Sequence, residues 1–375
     1  MKVLVLSVTA GEGHNSTAKA LKKQFEAMGH ECMVLDTYLN INKGLYDIVS
    51  KGYLLTVDKF KKLYSKVYTK LEGRTKNSYE DSIPRAANRI IAGKTYRTIE
   101  EYSPDLLIYT HPFCGILVDV IKQKKGMDVT AIGIVTDYVM HPFWEEALRT
   151  NYIVIPNELL IPAAERKGFK REQILAYGIP IDPKFSRISP KAELRAKLGL
   201  DVNKNTVLIM GGSMGYGSLL DTIKKIDDLD LDLQIICVCG NNSEQREKID
   251  ALTFKKKVLN YGYVTNVDEL MDASDCIVSK PGGLTTSETL AKRLPMIICD
   301  PIPGHEQRNA EFLQNNGVAM ALGGAYSVVD AVHQLFSVEG RIDDMRRSID
   351  IIRKPNSTSD ICKFAEEAVK REKEE

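Results

Sequence analysis

The segment 279–309, SKPGGLTTSETLAKRLPMIICDPIPGHEQRN, constrains the fold of this chain more than any other. A short apolar run ends at Pro281, Gly282 and Gly283, and the apolar positions after this turn recur with a helical period. A second apolar run, PMIICD, then predicts a buried strand. The order of strand, glycine turn, helix and strand is typical of a parallel α/β sheet.

A glycine turn that opens a helix leaves backbone N–H groups and the positive end of the helix dipole facing outward. Such a turn favours an anion, and a diphosphate is the obvious ligand. We expect Glu288 in the first turn of this helix, where its carboxylate could cap the helix or accept hydrogen bonds from a ribose diol. On this segment alone, a plain turn with a capping acid remains the alternative.

The N-terminal segment repeats the same pattern. Residues 2–8, KVLVLSV, predict a buried strand, and TAGEGHNSTAKAL leads directly into a helix. His14 lies in the turn, which is the usual ligand position at a strand's carboxyl end in an open α/β sheet. GEGHNS lacks the third glycine of a dinucleotide fingerprint, and Asp36 is the one acid near the expected position, so a nicotinamide enzyme is a weaker alternative.

Residues 40–97 interrupt this alternation with a long helical pattern. From Lys43 to Arg97 there are thirteen Lys or Arg against five acids, together with six of the sixteen tyrosines. A solvated helical insertion is the simplest interpretation. We favour binding to an anionic membrane surface, because basic residues are attracted to anionic lipid and amphipathic aromatic side chains settle at the headgroup level. Nucleic acid is a third interpretation that no motif supports.

Two further strands end in polar residues. PDLLIYTHPF leads to His111, and DVTAIGIVTDYVMHPFW leads to Asp137, His141 and Trp144. A domain boundary is expected near Pro183, after which MGGSMGYG provides another strand–glycine loop–helix turn. We therefore predict a domain at 1–183, a second at 184–355 and a C-terminal helix at 356–375 that returns to the first domain and whose last residues, KREKEE, fray.

Composition fixes the broad class. The chain has 375 residues, is 43% hydrophobic and carries a formal net charge of +1. Seven cysteines without paired or zinc-binding spacing indicate reduced thiols in a cytoplasm. The acidic run DDLDLD precedes a buried strand and is interpreted as solvated acids, so no metal site is expected. No apolar run is long enough to cross a bilayer, and we expect the protein on the inner, cytoplasmic face of the membrane.

Six motifs in order then carry a resemblance: GEGHNSTA, TDYVMHPFW, YGIPI, MGGSMGYG, GYVTNVDELM and the segment 279–309. Together they resemble the monogalactosyldiacylglycerol synthase and bacterial diacylglycerol glucosyltransferase family, over residues 1 to about 320. The resemblance implies the GT-B fold, in which two Rossmann-like domains face a cleft. The second-domain motifs are shared with the transferase that adds N-acetylglucosamine in peptidoglycan synthesis, and the first-domain motifs indicate the lipid branch.

In the first domain, the resemblance implies that His14 is the general base for the acceptor hydroxyl, with Asp137 as the next candidate. His111, His141 and Trp144 would line the acceptor side. Family members often have glycine where this chain has Glu12, and a carboxylate beside His14 could raise its basicity or point outward.

In the second domain, the resemblance implies a binding site for the UDP-sugar. Diphosphate contacts are expected from two glycine turns, uracil contacts from a loop, a ribose contact from one acid and hexose contacts from a polar cluster. The diphosphate contacts are Gly212, Ser213 and Met214 in one turn and Pro281, Gly282, Gly283, Leu284, Thr285 and Thr286 in the other. The uracil contacts are Tyr263 and Val264, and the ribose contact is Glu288. The hexose contacts are His305, Glu306 and Gln307.

The resemblance implies an inverting transferase that moves glucose or galactose from UDP-glucose or UDP-galactose to the 3-hydroxyl of 1,2-diacylglycerol, with no cofactor. Because the chain lacks a transit peptide, glucose is favoured. The alternatives are an N-acetylglucosamine transferase acting on a polyprenyl-linked acceptor, a sugar-nucleotide 2-epimerase and a non-catalytic membrane-bound sensor of UDP-sugar.

Overall fold

A computed structural model of the chain describes residues 1–9, 12–41, 82–215 and 217–374. The chain forms two compact units. The first comprises Met1–Pro183, Asn356–Glu375 and the short stretch Pro303–His305, and the second comprises Lys184–Ile302 and Glu306–Pro355. The chain therefore leaves the first unit at Pro183, where the sequence places a domain boundary, and returns to it at its C-terminal end.

The first unit contains a parallel sheet of six strands. They are β1 (Lys2–Ser7), β2 (Glu31–Asp36), β3 (Leu106–Tyr109), β4 (Thr130–Ile134), β5 (Tyr152–Val154) and β6 (Ile174–Leu175). Their order in the sheet is β2-β1-β3-β4-β5-β6. β3 and β4 are buried along their whole length, as expected for parallel strands with helices on both faces.

The helices of the first unit up to Pro183 are α1 (Glu12–Ala27), α2 (Thr37–Ile41), α3 (Ile83–Tyr102), α4 (Pro112–Lys125) and α5 (Ile161–Arg166). A short 3₁₀ turn, Pro142–Glu146, follows β4, and others span Glu158–Leu160 and Arg171–Gln173. α3 begins where the Ser82 side chain accepts a hydrogen bond from the Arg85 N–H. α4 ends at Gly126, whose φ of 64° suits a glycine at a helix end.

The second unit also contains a parallel sheet of six strands. They are β7 (Asn205–Met210), β8 (Leu233–Val238), β9 (Val258–Tyr261), β10 (Cys276–Ser279), β11 (Met296–Ile298) and β12 (Ala319–Ala321). Their order is β12-β11-β10-β7-β8-β9, with Ser279 of β10 in register with Met210 of β7. The two-domain α/β prediction is therefore confirmed.

The remaining helices follow in chain order. A 3₁₀ turn, Pro183–Ser186, precedes them. They are α6 (Lys191–Lys197), α7 (Leu219–Asp227), α8 (Ser243–Asp250), α9 (Val267–Ala273), α10 (Gly283–Ala291), α11 (His305–Asn315), α12 (Val328–Ser337), α13 (Arg341–Ile352) and α14 (Ser357–Glu374). No helix within the described ranges is both long and apolar enough to cross a membrane.

The C-terminal helix α14 belongs to the first unit, as the sequence predicts. Its buried side chains pack with those of α1 against the sheet residues of β1, β3 and β4. The prediction that its last residues fray is wrong. Lys373 Nζ lies 2.6 Å from Asp105 Oδ1, and Glu372 accepts hydrogen bonds from Thr130 and Asn151.

The basic segment 43–97 lies largely outside the described residues, which resume at Ser82. Its described part, residues 82–97, forms most of α3. Arg85 is 3% exposed, and its Nη2 lies 2.8 Å from Asp119 Oδ2. The guanidinium of Arg85 is therefore committed to an interior ion pair, and the expectation that it contributes to a lipid-facing surface is wrong.

Candidate active site

Each sheet has one place where the strand order changes direction. In the first unit the chain moves from β1 to β2 on one side and then to β3 on the other, so this place lies between β1 and β3. In the second unit it lies between β7 and β10. Ligands of open α/β sheets bind outside the carboxyl ends of the strands at such points. In the first unit, His14 follows β1 and His111 follows β3. In the second unit, one glycine turn follows β7 and the other follows β10.

His14 lies in the first turn of α1 and is half-buried. Its Nδ1 lies 2.7 Å from the carbonyl oxygen of Thr110, at the end of β3, and 3.2 Å from Oγ1 of Thr136, after β4. A carbonyl oxygen only accepts hydrogen bonds, so Nδ1 carries the proton. In the neutral imidazole Nε2 is therefore unprotonated, which is the form that a general base requires.

The surroundings of His14 also set its charge. Burial lowers the pKa of His14 from its ordinary value of 6.5, while the negative charge of Asp137 and the hydrogen bond to Thr110 act in the opposite direction. Because the net effect is a lowered pKa, the ring is neutral at pH 7 and can accept a proton.

A polar network joins the carboxyl end of β1 to the first turn of α1. The Asp36 carboxylate accepts hydrogen bonds from the Thr9 N–H at 3.0 Å and the Thr9 hydroxyl at 2.5 Å. Asn15, next to His14, donates to Thr9 Oγ1 and accepts from Ser7. The other oxygen of Asp36 accepts from the backbone at the start of α2. Asp36 therefore anchors Thr9 and, through it, Asn15 beside His14, which argues against its use for a nicotinamide ribose.

His111 and His141 begin two copies of the sequence His-Pro-Phe. Each caps the turn that it precedes. His111 Nδ1 accepts from the Phe113 N–H at 3.1 Å, and His141 Nδ1 accepts from the Phe143 N–H at 3.2 Å. Burial lowers the pKa of His111 well below 6.5 and that of His141 to about 3, so both rings are neutral at pH 7.

These rings form a continuous aromatic cluster. The centroid of His111 lies 4.6 Å from that of His14 and 4.9 Å from that of Phe113. Phe113 lies 5.3 Å from Phe143, which lies 5.0 Å from His141. The structure therefore brings His14, His111 and His141 together, as expected for residues that come after neighbouring strands.

Trp144 differs from the expectation of an acceptor-side surface, whereas the role of Glu12 stays a prediction. Trp144 is 2% exposed and stacks on Tyr109 at a centroid distance of 6.0 Å. A Cβ at Gly115 or Gly133 would come within 2.9 Å of the Tyr109 ring and within 3.3 or 3.1 Å of the Trp144 ring, so glycine at both positions makes room for this stacked pair. The prediction that Trp144 lines the acceptor side is wrong, because its indole is part of the core. Glu12 is exposed at the start of α1.

The glycine loop after β7 is shaped by close backbone contacts. Gly212 and Gly215 have φ values of 68° and 61°, and a Cβ at Gly215 would lie 2.2 Å from the carbonyl oxygen of Cys239. Asn242 Nδ2 and Gln245 Nε2 donate to the carbonyl oxygens of Gly215 and Gly217. Ser213 is half-buried and Met214 is 51% exposed, so the Met214 side chain faces outward.

The second glycine turn opens helix α10 after β10. The helix begins at Gly283, and Gly282 before it has no side chain with which to cap the first N–H groups. Pro281 and Gly283 are buried, Leu284 and Thr285 are half-buried, and the hydroxyl of Thr286 is buried without a hydrogen-bond partner in the described part of the chain. Uncapped N–H groups at a helix start suit an anion.

Glu288 lies in the second turn of α10, not in the first, because the helix begins directly after Gly282. The expectation of a first-turn position is therefore wrong. This correction also removes the alternative of a capping acid, since the carboxylate is too far along the helix to accept from its first N–H groups. Glu288 is half-buried.

The polar residues at the start of α11 differ in their exposure to solvent. Glu306 is 7% exposed, and its Oε2 accepts from the Ile302 N–H at 2.7 Å, so one oxygen holds the preceding turn. Gln307 is exposed and His305 is half-buried. Tyr263 and Val264 come after β9, and Tyr263 is 65% exposed. The assignment of these residues to hexose and uracil stays a prediction.

Sequence reasoning missed the residues that hold the site in place. Thr110 and Thr136 orient His14, and Asn309 donates to the carbonyl oxygen of Pro281 at 2.9 Å from a fully buried position. The signal for the two threonines is their position one and two residues after the ends of β3 and β4. Within the described residues, no three His, Cys, Asp or Glu side chains could share a metal ion.

Comparison with known proteins assigns the two parts of the chain separately. Residues 14–181 match the family model of monogalactosyldiacylglycerol (MGDG) synthase. Residues 206–359 match that of the glycosyltransferase family 28 C-terminal domain. The two matches cover most of both units.

The full-length similarities agree with these matches. A processive diacylglycerol beta-glucosyltransferase of Bacillus pumilus is 27% identical over 366 residues, which are 96% of this chain and 93% of that protein. The chloroplastic monogalactosyldiacylglycerol synthase of Spinacia oleracea is 30% identical over 349 residues, 89% of this chain and 66% of that protein. The crystal structure of Acinetobacter baumannii MurG has a TM-score of 0.66 at 13% identity, covering 98% of this chain and 99% of that one, and shares the fold.

Proposed function

This chain belongs to the family of monogalactosyldiacylglycerol synthases and bacterial diacylglycerol glucosyltransferases, and we propose that it transfers a hexose from a UDP-sugar to the 3-hydroxyl of 1,2-diacylglycerol. The product is a glycosyl diacylglycerol, a membrane glycolipid. One observation carries the assignment of chemistry to residues: His14 Nδ1 lies 2.7 Å from the Thr110 carbonyl oxygen, which leaves Nε2 free of a proton at the point where the first sheet changes direction.

In the proposed reaction, His14 Nε2 takes the proton of the 3-hydroxyl as its oxygen forms a bond to the anomeric carbon of the sugar. The bond from that carbon to the β-phosphate oxygen breaks, and UDP leaves with the bonding electrons. Attack from the opposite face inverts the anomeric carbon and gives a β-glycoside. Proton transfer to a positioned base contributes about 10²–10⁴-fold in rate.

The leaving diphosphate needs its growing negative charge stabilised. The uncapped N–H groups at the start of α10 and the backbone of the Gly212–Ser213 turn come after the two strands between which the second sheet changes direction. Oriented N–H groups stabilise such charge without having to reorganise. We assign the diphosphate to them, the ribose to Glu288 and the uracil to Tyr263 and Val264, and we propose that the reaction needs no metal ion or cofactor.

Glucose is the proposed sugar. A relative named as a glucosyltransferase matches this chain over 93% of its own length, whereas the spinach galactolipid synthase matches over 66% of its length. Incubation of the protein with diacylglycerol and either UDP-glucose or UDP-galactose, followed by thin-layer separation and sugar analysis of the lipids, tests this choice. Faster transfer from UDP-galactose would contradict it, and a lipid with two hexoses would show processive transfer.

Binding to the membrane surface through residues about 43–97 is part of the proposal, because the acceptor is a membrane lipid. We place the protein on the inner face of the cell membrane. Sedimentation with vesicles of increasing anionic lipid content tests this, and binding should weaken as salt is added. Binding that is indifferent to both anionic lipid and salt would contradict a role for the basic segment.

The base assignment is tested by His14→Ala. The variant should lose at least about 100-fold in kcat because the attacking hydroxyl has no proton acceptor, while binding of UDP measured by calorimetry is retained. His333→Ala is the matched control, since His333 is an exposed histidine on α12. Near-normal turnover by His14→Ala would move the base elsewhere, with Asp137 as the next candidate.

A further inference from the structure

The cap formed by His111 fixes the position of its own proton. Its Nδ1 accepts a hydrogen bond from the Phe113 N–H at 3.1 Å, so Nδ1 carries no proton. The neutral ring must then carry its proton on Nε2. Burial, together with the neighbouring His14 and His141, keeps the pKa of His111 well below 6.5, so the ring stays in this neutral form at pH 7. His111 therefore presents an N–H donor and cannot act as a second base.

This donor lies beside the proposed base and an apolar surface. The ring of His111 is edge-on to that of His14 at 4.6 Å, and Phe113 and Phe143 continue the cluster on its other side. Both phenylalanines are half-buried. A molecule bound here would contact a proton acceptor on His14, a neutral N–H donor on His111 and the aromatic rings of Phe113 and Phe143.

We propose that His111 Nε2–H donates a hydrogen bond to an ester carbonyl oxygen of the acceptor, and that His111 thereby selects ester-linked over ether-linked glycerolipids. The inference rests on the proposed function. In 1,2-diacylglycerol the ester at carbon 2 is the carbonyl nearest to the 3-hydroxyl, so a donor next to the base is placed to find it. The first methylene groups of the acyl chains then contact Phe113 and Phe143.

Two substitutions separate recognition from capping. In His111→Asn, the side-chain oxygen is at the distance of Nδ1 and can still accept from the Phe113 N–H, as asparagine does at helix starts, but nothing reaches the position of Nε2. In His111→Gln, the longer amide brings an N–H close to the position of Nε2, whereas the cap is weakened. A purely structural role of His111 would make His111→Asn the milder change, and a recognition role would make it the more severe one.

The readout is the ratio of kcat/KM for 1,2-dioleoylglycerol to that for its 1,2-dioleyl ether, measured in the same detergent micelles. A donor left without its acceptor in a partly dehydrated site lowers kcat/KM by about tenfold, so the wild-type ratio should be about 10. The ratio should fall to about 1 in His111→Asn and stay well above 1 in His111→Gln. Thermal unfolding followed by Trp144 fluorescence checks that both variants are folded.

A wild-type ratio of about 1 would overturn the inference. A His111→Asn variant that keeps the wild-type ratio would also overturn it, even if transfer to both lipids became equally slower. These outcomes differ from failure of the proposed function, in which the wild-type protein would transfer no sugar to either lipid.

Discussion

His14 and His111 come after neighbouring strands of one sheet, yet the backbone gives them opposite chemical roles. The Nδ1 of His14 faces a carbonyl oxygen and must be protonated, whereas the Nδ1 of His111 faces an N–H group and cannot be. The outer nitrogen is therefore a proton acceptor in one ring and a donor in the other. Whether Nδ1 meets a backbone carbonyl oxygen or a backbone N–H group therefore decides which histidine can act as the base.

The charge of Asp137 gives a prediction for the pH dependence. A negative charge favours the imidazolium and raises the pKa of His14, which burial lowers. Asp137→Asn removes that charge, so the pKa of His14 falls further. The acid limb of kcat/KM, measured from about pH 5 to about pH 8, should begin below pH 6.5 in the wild type and at a still lower pH in the variant.

The plateau of the Asp137→Asn profile should also fall, because a base of lower pKa takes a proton less readily. Asp128→Asn is the control, since Asp128 is an exposed acid that precedes β4 in the same unit. Its profile should overlay that of the wild type. An acid limb that stays in place in Asp137→Asn would mean that His14 does not control it.

At the scale of elements, Asp119 of α4 joins α3 to Arg149, which follows the turn that contains Phe143. Its carboxylate is 3% exposed and accepts from Arg85 Nη2 at 2.8 Å and from the Arg149 N–H at 2.9 Å. Arg85 also donates to the carbonyl oxygen of Glu146. Removing one partner of a buried ion pair leaves the other charge uncompensated, so Asp119→Asn should destabilise the first unit by about 3 kcal/mol.

The single tryptophan makes this measurement specific. Trp144 is buried in the first unit, so its fluorescence during urea unfolding reports on that unit alone. Glu26→Gln is the matched control, because the Lys22–Glu26 pair on α1 is about half exposed and should contribute less than about 1 kcal/mol. Equal effects of the two substitutions would show that the buried network does not hold these elements together.

The order of strands, turns and helices could be predicted from the sequence better than the direction in which each side chain points. Alternating apolar runs and glycine turns were enough to predict both sheets and to bring His14, His111 and His141 to one edge. The sequence does not show that Trp144 is buried, because the space for its stack on Tyr109 is made by Gly115 and Gly133, which belong to two other elements, α4 and β4. The sequence groups Arg85 with the basic segment because its partner, Asp119, is 34 residues away.

At the scale of the whole molecule, α14 completes the core of the first unit, although it follows the whole second unit in the sequence. Ala365 and Val369 pack with strand residues of the first sheet, and Ser357 and Thr358 donate to the carbonyl oxygens of Ile179 and Ile181. The first unit is therefore discontinuous in sequence. Its core includes residues from the C-terminal end of the chain. A substitution that disrupts the packing of α14 should therefore lower the stability of the first unit and leave that of the second unit unchanged.

Ala365→Asp tests this directly, because Ala365 is fully buried in an apolar cluster, where a carboxylate would lose its hydration. The first unit should lose about 3–5 kcal/mol of stability, seen as an earlier change in Trp144 fluorescence. Binding of UDP, which we assign to the second unit, should be retained at temperatures where Trp144 is already exposed. Lys363→Asp introduces the same residue at an exposed position of α14 and should have little effect. If both substitutions were equally mild, α14 would be an appendage and not part of the core; if Ala365→Asp abolished UDP binding together with Trp144 burial, the two units would unfold as one.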